Sequence, residues 1–426
     1  MGVQDLERDG LLRPAGGSYA VDGVSPRFLA VPRSVEEASQ VLAAAAADGL
    51  AVAFAGGGGK LGLGNPPERV DLVVLTGGLD QVLEHAAGDL VVRAQAGVRL
   101  ADLQQRLAPA GQWLALDPPE PRATLGGVVA ANASGPRRLR YGTVRDLIIG
   151  ITVVLADGTV ARAGGKVVKN VAGYDLAKLF CGSLGTLGMV AEVIFRLHPL
   201  PAAAAVVALQ VEGPDQAGQA VRRLLRSTLE PSAVELTLDE GGWPGRLTAV
   251  FEGIQPGVEA QAAAAAELLG QVGEAAVAGP GQTEAAFNQL GALPFEKAEY
   301  ALKAAFPPAE LAGVLEDLGG GRLRWGGGPM TAHAGTGVLW MASGAREGDI
   351  PADSAAFGST VRAITKARER LAARGGSLVV VKAPPELKRA VDVWGPAGDA
   401  LGLMRRVKER FDPDRRLSPG RFLGGI

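Results

Sequence analysis

The stretch ATLGGVVAANASGPRRLRYGTVRDL, residues 123–147, carries little side-chain bulk and almost no long periodic run. Gly126-Gly127, Asn132, Ser134-Gly135 and Gly142-Thr143 offer backbone donors and small polar groups, and Asp146 closes the segment before a strand. Such a stretch inside a globular chain is uncommon unless function requires it. Two others flank it: GGGGKLGLG at 56–64 and KVVKNVAGYDLAKLFCGSLGTLGMV at 166–190, with Gly182, Gly185 and Gly188 three apart. Consecutive N–H groups freed from side-chain crowding can form a nest for an anion such as a pyrophosphate. Gly57-x-Gly59-x-x-Gly62 has the Rossmann spacing, but Gly64-Asn65-Pro66-Pro67 breaks the chain where a helix should open. Lys60 is followed by Leu61, so the phosphate-loop pattern of NTPases fails too. Clusters so far apart in the chain suit a long, flat, dianionic ligand wrapped by several loops rather than one helix dipole.

Around these loops the periodicity is ordinary. Residues 34–48 read as a helix, with Ser34 and Glu37 as a capping box and Gly49 as its stop. Strands follow at 51–55, 72–75 and 90–96, with a helix over 99–110, and together they suggest a small βαβ unit with parallel pairing. Residues 148–155 and 160–163 read as strands joined by the turn Ala156-Asp157-Gly158-Thr159. A short helix is expected at 174–181 and a strand at 189–197. PLPAAAA, 199–205, marks a boundary. Beyond it, strands at 204–211, 247–252, 337–342 and 377–382 alternate with helices at 216–227, 258–269, 309–318 and 360–374. That pattern predicts an antiparallel sheet with helices on one face. A helix over 401–411 leads into DPDRRLSPGRF.

Composition sets limits. The 426 residues carry 43 Lys and Arg against 45 Asp and Glu, a net charge of −2, which argues against a nucleic-acid binder. One cysteine rules out a disulfide framework or an all-cysteine iron–sulfur site in this chain, and three histidines leave little for a metal centre. No metal is expected. No run of about 18 apolar residues and no secretory leader is apparent, so the expected location is the cytoplasm. Glycine, at 61 residues, is about twice its usual share of roughly 7%.

Over residues 24–201 the chain resembles flavoproteins of the vanillyl-alcohol-oxidase type, whose FAD-binding domain is shared with p-cresol methylhydroxylase (PCMH). DPDRRLSPGR resembles that superfamily's closing motif. More narrowly, GQWLALDPP (111–119), 123–147 and GGKVVKNVAGYDLAKLFCGSLGTLG (164–188) resemble the FAD-binding E subunits of bacterial glycolate oxidases. The resemblance implies an α+β fold. A PCMH-type FAD-binding domain, made of a small parallel βαβ subdomain and a larger antiparallel one, would span 24–200 after an N-terminal segment, 1–23. An α+β cap domain would follow at 201–400, and 401–426 would return to the FAD domain. It also implies that Gly56, Gly57, Gly58, Gly59 and Lys60 line the pyrophosphate, Lys60 neutralising its charge. Pro118, Thr124, Gly126, Gly127 and Ser134 would contact the ribityl, pyrophosphate or flavin. Tyr141, Gly142 and Asp146 would shape the flavin pocket, and Gly185, Gly188 and Val190 would pack near the adenine.

Two departures bear on chemistry. Gly59 stands where Thr, Ser or a flavin-linking His is usual, and Cys181 reads as a small buried hydrophobe, so the FAD is expected to be non-covalent. Residues 333–340, HAGTGVLW, resemble the His-x-Gly-Asp-Gly-Asn-Leu-His pattern of related 2-hydroxyacid dehydrogenases. Thr336, Val338 and Trp340 replace its Asp, Asn and second His. With no acidic partner in view, His333 reads as a structural histidine. Arg137, Arg138 and Arg140 could meet a carboxylate or form ordinary loop ion pairs. Neither a catalytic base nor a carboxylate clamp is placed. The function expected from the resemblance is an FAD-containing subunit of a multi-subunit glycolate oxidase, which converts glycolate to glyoxylate. Its expected role is electron transfer or assembly beside a catalytic sister flavoprotein and an iron–sulfur subunit, with any membrane association made through the complex. A self-sufficient FAD-dependent 2-hydroxyacid dehydrogenase and an FAD-free scaffold are the alternatives.

Overall fold

The computed structural model describes residues 2–166, 175–240, 242–293, 298–319, 328–343 and 354–426. Residues 167–174, inside the third glycine-rich stretch, and 320–327 lie outside them. The chain divides into two units. The first takes residues 1–134, 142–200 and 396–426; the second takes 135–141 and 201–395. Residues 135–141, grouped above with the FAD-binding domain, cluster with the second unit.

The first unit opens with a four-stranded sheet in the order Leu12–Pro14, Phe28–Ala30, Leu72–Leu75, Val52–Ala55, the last three parallel. Parallel strands need a crossover, and the helix Val35–Ala47 carries the chain from Phe28–Ala30 to Val52–Ala55, on the two sides of Leu72–Leu75. Ser34 accepts from the Glu37 N–H at 3.1 Å, while the Glu37 carboxylate accepts from the Arg33 N–H at 2.7 Å, so the cap is wrapped one residue further back than a capping box. Leu42, Val41 and Ala38 of this helix are buried against Val52, Leu72 and Val74.

A second sheet is wholly antiparallel: Val82–Ala86, Val91–Gln95, Met189–Arg196, Ile148–Val154, Val160–Gly164. Val91–Gln95 is therefore not part of the parallel unit, as its position after two parallel strands suggested. The short turn at Ala87–Asp89, with Leu90 left-handed at φ 55°, folds it straight back onto Val82–Ala86. The closing segment joins the first sheet's edge. The Val52 N–H donates to the Arg416 carbonyl and the Ser418 N–H to the Val52 carbonyl, both at 2.8 Å.

The second unit is built on eight antiparallel strands, in the order Ala275–Val277, Ala203–Val211, Gly242–Gly253, Ala233–Asp239, Met330–His333, Val338–Ala342, Ala301–Ala305, Ser377–Lys382. Alternate residues point to opposite faces. Leu236, Phe251, Leu302, Leu339 and Val380 enter a core shared with buried residues of the helices Pro214–Arg226, Gln255–Gly270, Leu311–Gly319 and Ala355–Ala373. The alternation puts Glu235, His333, Trp340 and Lys303 on the other face. No helix among the described residues is long and apolar enough to cross a membrane.

Candidate functional site

The first glycine loop leaves the C-terminal end of Val52–Ala55 and closes directly on the second stretch. A Cβ on Gly56 would lie 2.0 Å from the Thr124 hydroxyl, and one on Gly57 would lie 1.8 Å from the Arg122 carbonyl oxygen. Both contacts are impossible, so these positions admit no side chain. Thr124 caps the helix Leu125–Ala131, its hydroxyl accepting from the Gly127 N–H at 3.4 Å. Gly126 lies against Ala96, where a Cβ would sit 2.7 Å from the alanine methyl.

The third stretch docks on the far end of the same helix. The N–H groups of Gly182 and Leu184 donate to the carbonyls of Val129 and Ala130 at 2.9 and 2.8 Å. Gly185, at φ +75°, brings its backbone onto the Phe54 ring of the strand that feeds the first loop. Gly188 then starts the chain into the strand containing Val190, which pairs with Val153. The three stretches thus gather around one strand end and one short helix.

The closing segment braces two of them. Arg421 donates to the carbonyls of Leu61 and Leu63 in the first loop. Lys408, 1% exposed, donates to the Thr186 carbonyl in the third at 2.8 Å. Neither residue stood out in the sequence, since a basic side chain gives no local sign of being buried.

A cleft of about 820 Å³ opens against the junction of the first two loops, lined among others by Gly56, Gly57, Thr124, Arg99, Arg106 and Arg122. The hydroxyls of Ser134 and Ser183 are buried with no hydrogen-bond partner among the described residues. Backbone with no room for a Cβ, two orphaned hydroxyls and a cation-bearing cleft fit a phosphate-containing dinucleotide. Gly58, at φ +81°, has open space around it. Gly59 faces the Glu120 side chain, and Pro118 is half-buried on the approach to it. Lys60, expected to face phosphate, is instead ion-paired with Glu120, sixty residues on and with no local sign of the pairing.

The remaining expected residues split between the units. Asp146 accepts from the Thr143 N–H and hydroxyl at 2.7 and 2.8 Å, and the backbone bond holds its carboxyl below the usual range. It shapes the turn at Gly142, φ +82°, where a Cβ would lie 2.8 Å from that of Asp146. Tyr141 lies in the second unit, its phenol pushed up by burial and then by the Glu252 carboxylate. Glu252, 4% exposed, receives a bidentate contact from Arg137, Nη2 donating to Oε1 at 3.0 Å and Nε to Oε2 at 3.2 Å, and its carbonyl accepts from Arg140. Burial pushes the Cys181 thiol up to about 11, so it is protonated at neutral pH.

His333, expected to lack an acidic partner, has one. Glu235, 98 residues away in the chain, pairs with it across adjacent strands, and its carboxylate accepts from Nδ1 at 2.8 Å. Trp340 donates its indole N–H to His333 Nε2 at 3.3 Å. Because indole can only donate, Nε2 is the acceptor and the ring proton sits on Nδ1. Burial raises the Glu235 carboxyl, with His333 opposing the shift. Among the described residues no three His, Cys, Asp or Glu side chains gather as a metal site would require. Replacing Trp340 with Phe removes Nε2's donor inside the protein. The expected loss is about 1–3 kcal/mol in urea unfolding; an unchanged midpoint would show that the contact contributes nothing.

Residues 26–164 match the family model described as an FAD binding domain, and 394–422 match the FAD linked oxidases, C-terminal domain. Over 211 residues the chain is 36% identical to glycolate oxidase subunit GlcD of Bacillus subtilis, covering 49% of this chain and 45% of that one. It is 32% identical to a D-lactate dehydrogenase of Archaeoglobus fulgidus, covering 63% and 66%. It is 40% identical to glycolate oxidase subunit GlcE of Escherichia coli, over 29% and 35%. The first of these alignments spans about half the length of its relative. The p-cresol methylhydroxylase structure with substrate bound superposes with a TM-score of 0.72 at 17% identity, over 93% of this chain and 89% of that one, a likeness of fold. The chain therefore carries a PCMH-type FAD-binding domain together with the C-terminal element of FAD-linked oxidases, and its cofactor is FAD.

Proposed function

We propose that this chain is an FAD-containing oxidoreductase component of a glycolate-oxidising complex, the counterpart of GlcE, and that it relays electrons or supports assembly beside a catalytic sister flavoprotein. FAD supplies a two-electron acceptor able to pass electrons onward singly. In this reading the main chain of Gly56–Gly59 faces the pyrophosphate, and Thr124, Gly126 and Gly127 hold the second side of it. Ser134 and Ser183 supply hydroxyls, Pro118, Gly142 and Asp146 border the flavin, and Gly185, Gly188 and Val190 border the adenine. The attachment is non-covalent: no histidine stands in the first loop, and the protonated Cys181 is a poor nucleophile.

The observation that carries the division of labour is the indole N–H of Trp340 on His333 Nε2. Oxidising a 2-hydroxy acid needs a base for the hydroxyl proton and a cation for the carboxylate. Here His333 is committed at both nitrogens and Arg137 is committed to Glu252. With one cysteine, an iron–sulfur cluster has to come from a partner chain. The complex is cytoplasmic.

The test is a visible spectrum of the purified chain under anaerobic conditions. A flavin spectrum that stays oxidised with glycolate or D-lactate, and is reduced once the sister flavoprotein is added, is the expected result. Rapid bleaching of the isolated chain by either acid would overturn the relay role and favour a self-sufficient dehydrogenase.

A further inference from the structure

We propose that Arg99, Arg106 and Arg122 provide the mobile counter-charge for the dinucleotide's two phosphates, the role that Lys60 would otherwise fill. The inference rests on the FAD site described above and adds to it the source of positive charge. Lys60 is unsuited, because Glu120 already neutralises it. Moving Lys60 to a phosphate would leave a carboxylate facing the same loop through Gly59.

The three arginines are placed by the backbone of the site itself. Arg122 is the residue whose carbonyl abuts Gly57. Arg99 is bridged to Thr124, with the Leu100 N–H donating to the Ala123 carbonyl and the Leu125 N–H to the Val98 carbonyl, both at 2.9 Å. Arg106 lies seven residues on, along the helix Leu100–Leu107, on the face that Arg99 begins. All three line the cleft that opens on Gly56 and Gly57.

Asp80 and Asp102 line that cleft too, leaving an excess of one positive charge. Yet among the described residues no ion pair within 4.0 Å joins either carboxylate to any of the three guanidiniums. Arg99 also stands at the N-cap of its helix, the end whose dipole disfavours a cation. A dianion in the cleft satisfies both the guanidiniums and the helix end. A fork of fixed N–H donors suits phosphate oxygens better than a lysine does.

The experiment measures FAD affinity of the full chain by flavin fluorescence, in wild type, in R99A/R106A/R122A, in R122K and in the charge-neutral double variant K60A/E120A. The arginines are exposed, so circular dichroism should show the arginine variants folded, and the same measurement confirms the fold of K60A/E120A, whose pair is half-buried. At low salt the triple variant is expected to bind FAD about tenfold more weakly, and ADP to compete less well by a similar factor, since the lost attraction acts at the phosphates. The difference should close near 1 M salt, where the screening length is about 3 Å. R122K, which keeps the charge but loses the fork, should fall between wild type and the triple variant, and K60A/E120A should stay within about twofold of wild type. A triple variant with wild-type affinity, or a K60A/E120A variant that loses FAD as severely, overturns the proposal. Wild-type protein that binds no FAD at all would instead refute the cofactor site on which the proposal stands.

Discussion

Asp412→Ala is expected to lower the stability of the first unit by about 3–5 kcal/mol, the cost typical of leaving one partner of a buried ion pair uncompensated. Asp412 is fully buried and Lys408 is 1% exposed. The Lys408 ammonium donates to the Asp412 carboxylate at 2.6 Å and to the carbonyls of Thr186 and Leu417 at 2.8 Å. The same carboxylate accepts from the N–H groups of Arg416 and Leu417 at 3.1 and 2.7 Å. Alanine would therefore strand one cation and two backbone donors together. Burial already holds the Lys408 pKa below its usual value, with Asp412 opposing the fall. Removing Asp412 removes that opposition.

In a unit of this size, about 2–4 °C of melting temperature accompanies each kcal/mol, so a drop of roughly 10 °C is expected by calorimetry. Lys408→Met combined with Asp412→Leu should recover only part of it, because apolar replacement removes the uncompensated charge but leaves the Arg416 and Leu417 N–H groups without their acceptor. A single alanine variant melting within about 2 °C of wild type would show the pair to be dispensable. Since Lys408 holds the Thr186 carbonyl, the destabilised variant should also lose flavin on dialysis.

How far the sequence exposed this architecture depended on the range of the interactions. The helix Val35–Ala47 was readable because Ser34, Glu37 and Gly49 act within a turn of its ends. Leu72–Leu75 and Ser377–Lys382 were readable as short apolar runs between breakers. Ala301–Ala305, in contrast, is written in helix formers (Ala, Leu, Lys), and only its place between Val338–Ala342 and Ser377–Lys382 makes it a strand. Val91–Gln95 was readable as a strand but not as a member of the antiparallel sheet, because its hairpin partner Val82–Ala86, half-exposed and carrying Glu84 and His85, has no apolar run, and its other partner Met189–Arg196 lies about a hundred residues on.

The site divides in the same way. The glycines announced the loops, since absence of a side chain is visible in sequence. Their counter-charges and braces were not visible: Glu120 beside Lys60, Glu235 beside His333 and Arg421 under the first loop are contacts made by folding. Arg137 illustrates the limit. As a sequence it offered a carboxylate clamp, and the fold gives it the buried Glu252.

Gly57→Ala should abolish practical FAD binding. The added methyl would sit 1.8 Å from the Arg122 carbonyl oxygen and 2.8 Å from its carbon. Both are backbone atoms, so no side chain can swing aside. Relief requires the first loop to part from residues 122–124, which widens the place where both would meet the phosphates. Overpacking of this kind costs about 1–3 kcal/mol, and each 1.4 kcal/mol is a factor of about ten in affinity. An affinity loss approaching 100-fold is therefore expected if the strain is relieved at the expense of the bound geometry. The neighbouring glycines are the controls. Gly58→Ala has open space but a backbone at φ +81°, so it should cost about 1 kcal/mol of stability with a smaller effect on FAD. Gly59→Ala meets the Glu120 side chain alone, Cγ at 3.3 Å and Cβ at an ordinary 3.6 Å, and should bind within a few-fold of wild type. Flavin-to-protein absorbance after gel filtration and fluorescence titration rank the three. If Gly57→Ala stays as yellow and as tight as Gly59→Ala, the junction of the first two loops is not where the cofactor is gripped, since only the closely packed position distinguishes the two variants.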